Sequence, residues 1–311
     1  MGRYALHRLL MAVPVLLGTT FIIYLAVYAL PGDPIQALAG PNRMLSPSVE
    51  QALRERFHLD DPLIVRYGLY LQGLLTGDLG TSFSGRPVSE VIGGSWPVTF
   101  QLGVTAWLFM AVLGVLLGTV AGLRRGKAAD AVVLGGTTVI MGVPFFVVAY
   151  VAQIVVGVDL GWLPVSGTEA GWPLAYILPG LVLALYSLPQ VARLTRTSIL
   201  DNLGADHVDT ATAKGLTRRV IVLRHILRNS LIPVVSLLGV SLGYLLSGTV
   251  LIEGIFNLPG LGYQIFTAIP QHDGPVVVGV GTLLVLVFLL VNLLVDLLYG
   301  ILDPRIRLGL G

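Results

Sequence analysis

The chain has no cysteine, which excludes disulfide staples and thiolate metal sites. Charge is nearly as scarce: Asp, Glu, Lys and Arg make up 12% of the residues, against about 25% in an ordinary soluble domain. The five histidines (His7, His58, His207, His225 and His272) form no i, i+4 pair that could seat a metal. No stretch fits G-x-x-x-x-G-K-S/T; the nearest, around Gly126-Lys127-Ala128, lacks the upstream glycine and the hydroxyl, so ATP is not bound in that manner. No Ser, His and Asp arrangement and no carboxylate pair within an apolar run suggests an enzyme, and the bases form no nucleic-acid stripe. No cofactor or metal is expected.

What the chain does have is apolar residues, 55% of the total, with a mean hydropathy of +0.84. That composition reads as a polytopic, all-α membrane protein. Six runs are long enough to span roughly 30 Å of hydrocarbon: Leu9–Leu30, Val98–Leu123, Ala131–Val156, Pro173–Ala192, Leu231–Ile252 and Val276–Ile301. The first is read as an anchor and not a cleaved signal peptide, because no small-x-small site follows and Pro31-Gly-Asp-Pro34 reads as a turn. The second carries Gly114, Gly118 and Gly122 at intervals of four, a spacing for close helix packing. Pro144 lies in the third span, and Pro179 and Pro189 interrupt the fourth.

Of the 19 Lys and Arg, five (Arg43, Arg54, Arg56, Arg66 and Arg86) lie in the long segment 31–97, and all the others lie at the termini or in segments 124–127 and 193–230. Segments 158–172 and 253–275 hold none. Basic residues mark the cytoplasmic side, so both termini are expected inside. The 31–97 segment is expected outside, with helices Pro47–Phe57, capped by Ser46, and Pro62–Leu75, whose Leu63, Tyr67, Leu71 and Leu74 form a packing stripe. The whole chain reads as one transmembrane domain.

The polar passage Asp206–Pro233 organises the rest. Asp206 is a plausible N-cap, Asp209 lies in the first turn, Gly215 is a stop and Thr217 a second N-cap before a helix Arg218–Asn229. Asp209-Thr-Ala-Thr-Ala-Lys-Gly-Leu216, followed by His225-Ile-Leu-Arg-Asn-Ser-Leu-Ile-Pro233, resembles the EAA loop of permease subunits of bacterial ATP-binding-cassette importers, at the level of the dipeptide and oligopeptide permeases. The consensus glutamate is absent; Asp209 or Thr210 stands there. The resemblance continues through Leu30-Pro-Gly-Asp-Pro34, Gly77-Asp-Leu-Gly80, Glu253-Gly-Ile-Phe-Asn-Leu-Pro-Gly-Leu-Gly262, Asn292-Leu-Leu-Val-Asp-Leu-Leu-Tyr299 and Asp303-Pro-Arg305.

The resemblance implies a type I importer permease that pairs with a second homologous permease, two ATPase subunits that bind ATP and Mg, and an extracytoplasmic peptide-binding protein. It implies that Asp206, Asp209, Thr210, Ala211, Ala213, Lys214, Gly215 and Leu216 meet the ATPase, with Ala211 and Ala213 as a small face seated in a groove. It implies that the outer loop carrying Glu253, Phe256, Asn257, Pro259 and Gly260 meets the binding protein or the mouth of the path. Polar positions Gln153, Tyr186, Gln190, Ser241, Tyr244 and Ser247 are candidates for the path itself. Asp296, one turn after Asn292, is the ionisable residue inside a span and is read as a structural pin bonded to Asn292, Arg193 or Arg196. Two other readings stand beside this one: a self-sufficient carrier or channel using Asp296, and an importer of nickel chelates.

Overall fold

The computed structural model describes residues 2–28, 35 and 46–302. The motifs Leu30–Pro34 and Asp303–Arg305, with Arg43 and Arg307, lie outside the described residues. Helices follow in the order α1 (Gly2–Tyr28), α2 (Pro47–Arg56), α3 (Leu63–Thr76), α4 (Val88–Leu123), α5 (Ala128–Gly142), α6 (Phe145–Ala152, continued by a wide π-type stretch Gln153–Asp159), α7 (Leu174–Leu185), α8 (Leu188–Leu203), α9 (Asp206–Ala213), α10 (Arg218–Ser247), α11 (Val250–Ile255), α12 (Leu261–Ala268) and α13 (Gly274–Leu302). Among the described residues the only extended pairing is an isolated bridge between Thr81 and Pro87.

Among the described residues four helices are unbroken and apolar enough to cross a membrane, Leu6–Tyr28, Val88–Leu123, Arg218–Ser247 and Gly274–Leu297; two bent pairs bring the spans to six if each pair crosses once. The third expected span breaks at Pro144 by 100° and the fourth at Tyr186-Ser187 by 60°. A residue before proline is pushed out of the α region, and Val143 is extended, at φ −99° and ψ 128°. Pro189 falls in the first turn of α8, where its missing N–H costs nothing. Pro179 lies inside α7 and interrupts nothing, contrary to the expectation. The passage Arg218–Asn229 is not a separate helix: it runs through a wide π-type stretch, Ile221–Leu227, into α10. The fifth span therefore starts earlier than expected and stops at Ser247, five residues before Ile252.

Two compact units are distinguished. The first comprises the residues up to Phe100 with Ser247–Leu293, and the second Gln101–Leu246 with the residues from Leu294 on. In the first unit, Val88, Val91, Leu261, Val276, Val280 and Leu284 form a buried apolar cluster. Helix α3 joins α1 and α13 through tyrosines: Tyr67 donates to the Leu17 carbonyl at 2.9 Å, and Tyr70 donates to Thr282 Oγ1 at 2.6 Å. Gly77 closes α3 at φ +81°, where a side chain would be strained. The turn that follows is clamped by Asp273, whose carboxylate accepts from the Ser82 hydroxyl and from the Phe83 N–H.

The expected outer loop is folded around a carboxylate. Glu253 is fully buried; its Oε1 accepts from Thr99 Oγ1 at 2.8 Å and its Oε2 from the Tyr263 N–H at 3.0 Å. Thr99 Oγ1 in turn accepts the Leu261 N–H at 2.7 Å. A Cβ at Gly260 would strike the Glu253 carboxylate and Thr99 Oγ1, and one at Gly262 would strike the Val250 backbone. Burial raises the Glu253 carboxyl above its usual range, and the bonds from Thr99 and the Tyr263 amide oppose that rise.

In the second unit the glycine ladder does what its spacing predicts. A Cβ on Gly114 would lie 2.7 Å from Val191 Cγ1, one on Gly122 2.9 Å from Ile199 Cγ2, and one on Gly118 would collide with the Ala192 carbonyl and Thr195. Residues 191, 195 and 199 repeat at the same interval on α8, so two matched stripes meet at backbone distance. Trp107 Nε1 donates to the Leu238 carbonyl at 2.8 Å and ties α4 to α10.

Two outcomes follow from this packing. Gly118→Ala overpacks a contact made by backbone and should cost about 1–3 kcal/mol of stability, whereas Gly136→Ala, whose Cβ meets nothing within 4 Å, should cost little; thermal unfolding in detergent measures both. Glu253→Ala strands buried donors at about 1–3 kcal/mol each. Because the folded carboxyl sits above the unfolded value near 4.5, the folded chain binds the extra proton, and its stability should fall as pH rises through that interval. Glu253→Gln should remove that slope in denaturation midpoints taken across pH.

Candidate functional site

Helix α9 begins at Asp206, so Ala205 and not Asp206 occupies the N-cap position. Asp206 and Asp209 in the first turn and Lys214 beyond the last complement the helix dipole. The hydroxyls of Thr210 and Thr212 bond back to the carbonyls of Asp206 and Val208. At the far end the Leu216 N–H reaches the Ala211 carbonyl and the Gly215 N–H reaches the Thr212 carbonyl, a Schellman closure with Gly215 at φ +73°. Thr217 does hold the next N-cap position, with extended backbone and no capping bond from its hydroxyl.

The small face does not stay together. Ala211 is 3% exposed and packs with Val208 against Ile199, Ile221 and Ile226 of its own chain, while Ala213 is turned to solvent. One side of α9 is thus fastened to α8 and α10, with further ties from Asn229 to His207 at 3.2 Å and from Ser230 Oγ to the Ser198 carbonyl at 3.0 Å. Asp206, Asp209, Thr210, Ala213, Lys214, Gly215 and the half-exposed Leu216 make up the free side.

In the expected outer loop Glu253 and Phe256 are buried and present nothing, and Gly260 is buried against Glu253. Asn257 and Pro259 are exposed, Asn257 with a left-handed backbone at φ +50°.

The six path candidates separate. Gln153 spends its amide on the Val165 carbonyl at 2.8 Å, Ser241 is buried and bonds back to Leu237, and Ser247 leans on the Leu284 carbonyl at 3.4 Å. Tyr244 is exposed on α10. Tyr186 and Gln190 come together: both line a cavity of about 410 Å³ at the two helix breaks, with Met141, Gly142, Pro144 and Phe145, and the Phe145 and Tyr186 rings stand edge to face 6.1 Å apart.

Asn292 donates to the Phe288 carbonyl, and Arg196 binds Asp130. That ion pair escaped the sequence reading. Arg196 Nε and Nη2 hold the two Asp130 oxygens at 2.6 and 2.9 Å, and Asp130 also accepts the Gly126 N–H at 2.9 Å. Its one sequence signal is an isolated acid in the first turn of an apolar helix. Among the described residues no group of three His, Asp or Glu could hold a metal. Among the described residues the arrangement offers an exposed helix face, a cavity and two helix breaks.

Residues 114–308 match the family model described as the binding-protein-dependent transport system inner membrane component, and residues 1–103 match the model for the N-terminal part of such membrane components. The chain is 39% identical over 310 residues to the glutathione transport system permease protein GsiC of Salmonella paratyphi A, covering 99% of each. It is 35% identical over 331 residues to the dipeptide transport system permease protein DppB of Alkalihalophilus pseudofirmus, covering 98% of this chain and 99% of that one, and 36% identical over 337 residues to DppB of Escherichia coli, covering 99% of each. A crystal structure of an amino acid ABC transporter with histidines superposes with a TM-score of 0.51 at 16% identity, over 68% of this chain and 93% of the other, a likeness of fold. With full-length relatives and apolar helices of spanning length, the chain belongs to the family of inner membrane components of binding-protein-dependent transport systems, and is a multi-pass protein of the cytoplasmic membrane.

Proposed function

We propose that this chain is one permease of an ATP-driven importer that passes small peptides across the cytoplasmic membrane by alternating access. The single observation that carries the reading is full-length similarity to permeases named for glutathione and for dipeptides. It favours an importer subunit over a self-sufficient carrier, and peptides over nickel chelates. A second homologous permease, two ATPases holding ATP and Mg, and an extracytoplasmic binding protein complete the assembly, with both termini inside and the chain acting as one transmembrane domain.

In this mechanism α9 is the lever. Closure of the ATPases pushes its free side, and because Val208 and Ala211 are fastened to α8 and α10, displacement passes into those helices and not into slack chain. Asn257 and Pro259 are the parts of the outer loop available to the binding protein.

ATP-dependent uptake of a labelled dipeptide or glutathione into vesicles containing the assembled importer tests the reading; uptake that needs neither ATP nor the ATPases refutes it. Ala213→Asp sets a charge in a contact that is desolvated on docking, at a cost on the order of a few kcal/mol. Gly215→Val opposes φ +73° at a cost of about 1–2 kcal/mol. Both variants should reach the membrane at normal levels, yet lose the ATPases or hydrolyse ATP without uptake; wild-type uptake in both would move coupling elsewhere. For orientation, single cysteines at the exposed positions Ser84, Ser166 and Gln271 should react with an impermeant thiol reagent from outside, and those at Lys127 and Asp206 should not.

A further inference from the structure

Two arginines lie one turn apart on α8 and both reach α5, yet they are treated differently. Arg196 is neutralised by the buried Asp130. Arg193 donates from Nε to Thr137 Oγ1 at 3.2 Å and from Nη2 to Thr138 Oγ1 at 2.7 Å, and among the described residues no carboxylate pairs with it. Each of those hydroxyls is itself fixed by donating to the Leu134 carbonyl. Two neutral groups therefore orient the guanidinium without cancelling its charge, and they use only part of its five N–H donors. Arg193 stands just past the end of the fourth expected span and is partly exposed, so its charge is open to an incoming anion.

The helices that hold Arg193 are also the walls of the cavity. Ile140 and Met141 line it one turn beyond Thr137 and Thr138 on α5, and Gln190 lines it one turn before Arg193 on α8. On both helices the residues that hold the guanidinium are three positions from lining residues, a rise of about 4.5 Å along the axis, and Arg193 itself does not line the cavity. At about 410 Å³ the cavity lies near the lower end of ligand sites, which run on the order of 300–1,000 Å³. Its lining is apolar and aromatic, with one phenol and one amide.

We propose that this cavity and Arg193 form a resting site in the path for a peptide acid of two or three residues. The free carboxylate sits on the Arg193 guanidinium, and an apolar or aromatic side chain lies beside Phe145 and Tyr186. The proposal rests on the peptide-import reading and adds to it a size limit and a requirement for a free carboxylate. The same guanidinium chemistry would also serve a lipid phosphate, so the experiment includes both sources.

The assembled importer with its binding protein is reconstituted in vesicles of phosphatidylethanolamine and phosphatidylglycerol, and uptake of alanyl-phenylalanine, its C-terminal amide and glycyl-glycine is followed. The binding protein is common to every arm, so its preferences cancel in the ratio of variant to unmodified importer. Arg193→Gln should raise half-saturation for the free acid about tenfold or more and leave the amide unchanged, while Arg193→Lys retains most of the preference. Gly142→Leu grows into open space, since a Cβ there meets nothing within 4 Å, and should lose alanyl-phenylalanine before glycyl-glycine; if Arg193→Gln fails to assemble, this comparison decides alone. Equal losses for acid and amide, or no size dependence in Gly142→Leu, overturn the site. So does uptake that follows phosphatidylglycerol content and loses that dependence in Arg193→Gln with the acid-to-amide ratio unchanged. Absence of all peptide uptake by the unmodified importer overturns this site together with the import reading, whereas normal uptake with undisturbed ratios overturns the site alone.

Discussion

Contact at backbone distance between α4 and α8 is the constraint on which the second unit depends. Lipid gives helices no hydrophobic reason to associate, so close packing has to supply the attraction. Gly114, Gly118 and Gly122 supply it by bringing α4 against Val191, Ala192, Thr195 and Ile199 with no room for a methyl group. One face of α8 is thereby fixed, and its other faces are free to carry Gln190, Arg193 and Arg196 toward α5. The C-terminal end of the same helix reaches the cluster that seats α9. A single stripe of missing side chains thus holds in place both the cavity and the lever.

Much of this was legible because periodicity and turn chemistry act locally. The six apolar runs, the glycine interval, the stop at Gly215 with its positive φ, and the short helices between residues 47 and 76 all follow from residue type at fixed spacing. What was not legible depended on partners far along the chain. Nothing local distinguishes Pro179, carried inside α7, from Pro189, which opens α8; the difference lies in what surrounds each. Ala211 and Ala213 look alike in sequence, yet a helical offset of two residues turns one inward and one outward. The segment 253–262 was expected to present Glu253, Phe256 and Gly260 to a partner or to the mouth of the path. Its glycines instead make room for a buried acid, and Phe256 goes inside with it.

The lone acid in a span was a reasonable place to look for function, but the more informative group is a base. Asp130 and Arg196 cancel each other, and the contrast with Arg193 one turn away appears only when α5 and α8 are seen side by side.

The enclosure of Glu253 also constrains how such a chain can diverge. Thr99, Glu253, Gly260 and Gly262 are separated by up to 163 positions, yet each is admissible only while the others stand: the glycines make room for the carboxylate, the threonine relays its bond to Leu261, and the carboxylate holds the Tyr263 amide. Single replacements at any of the four leave a clash or an orphaned polar group. Lineages should therefore keep the quartet intact or exchange it as a block, so these positions should co-vary.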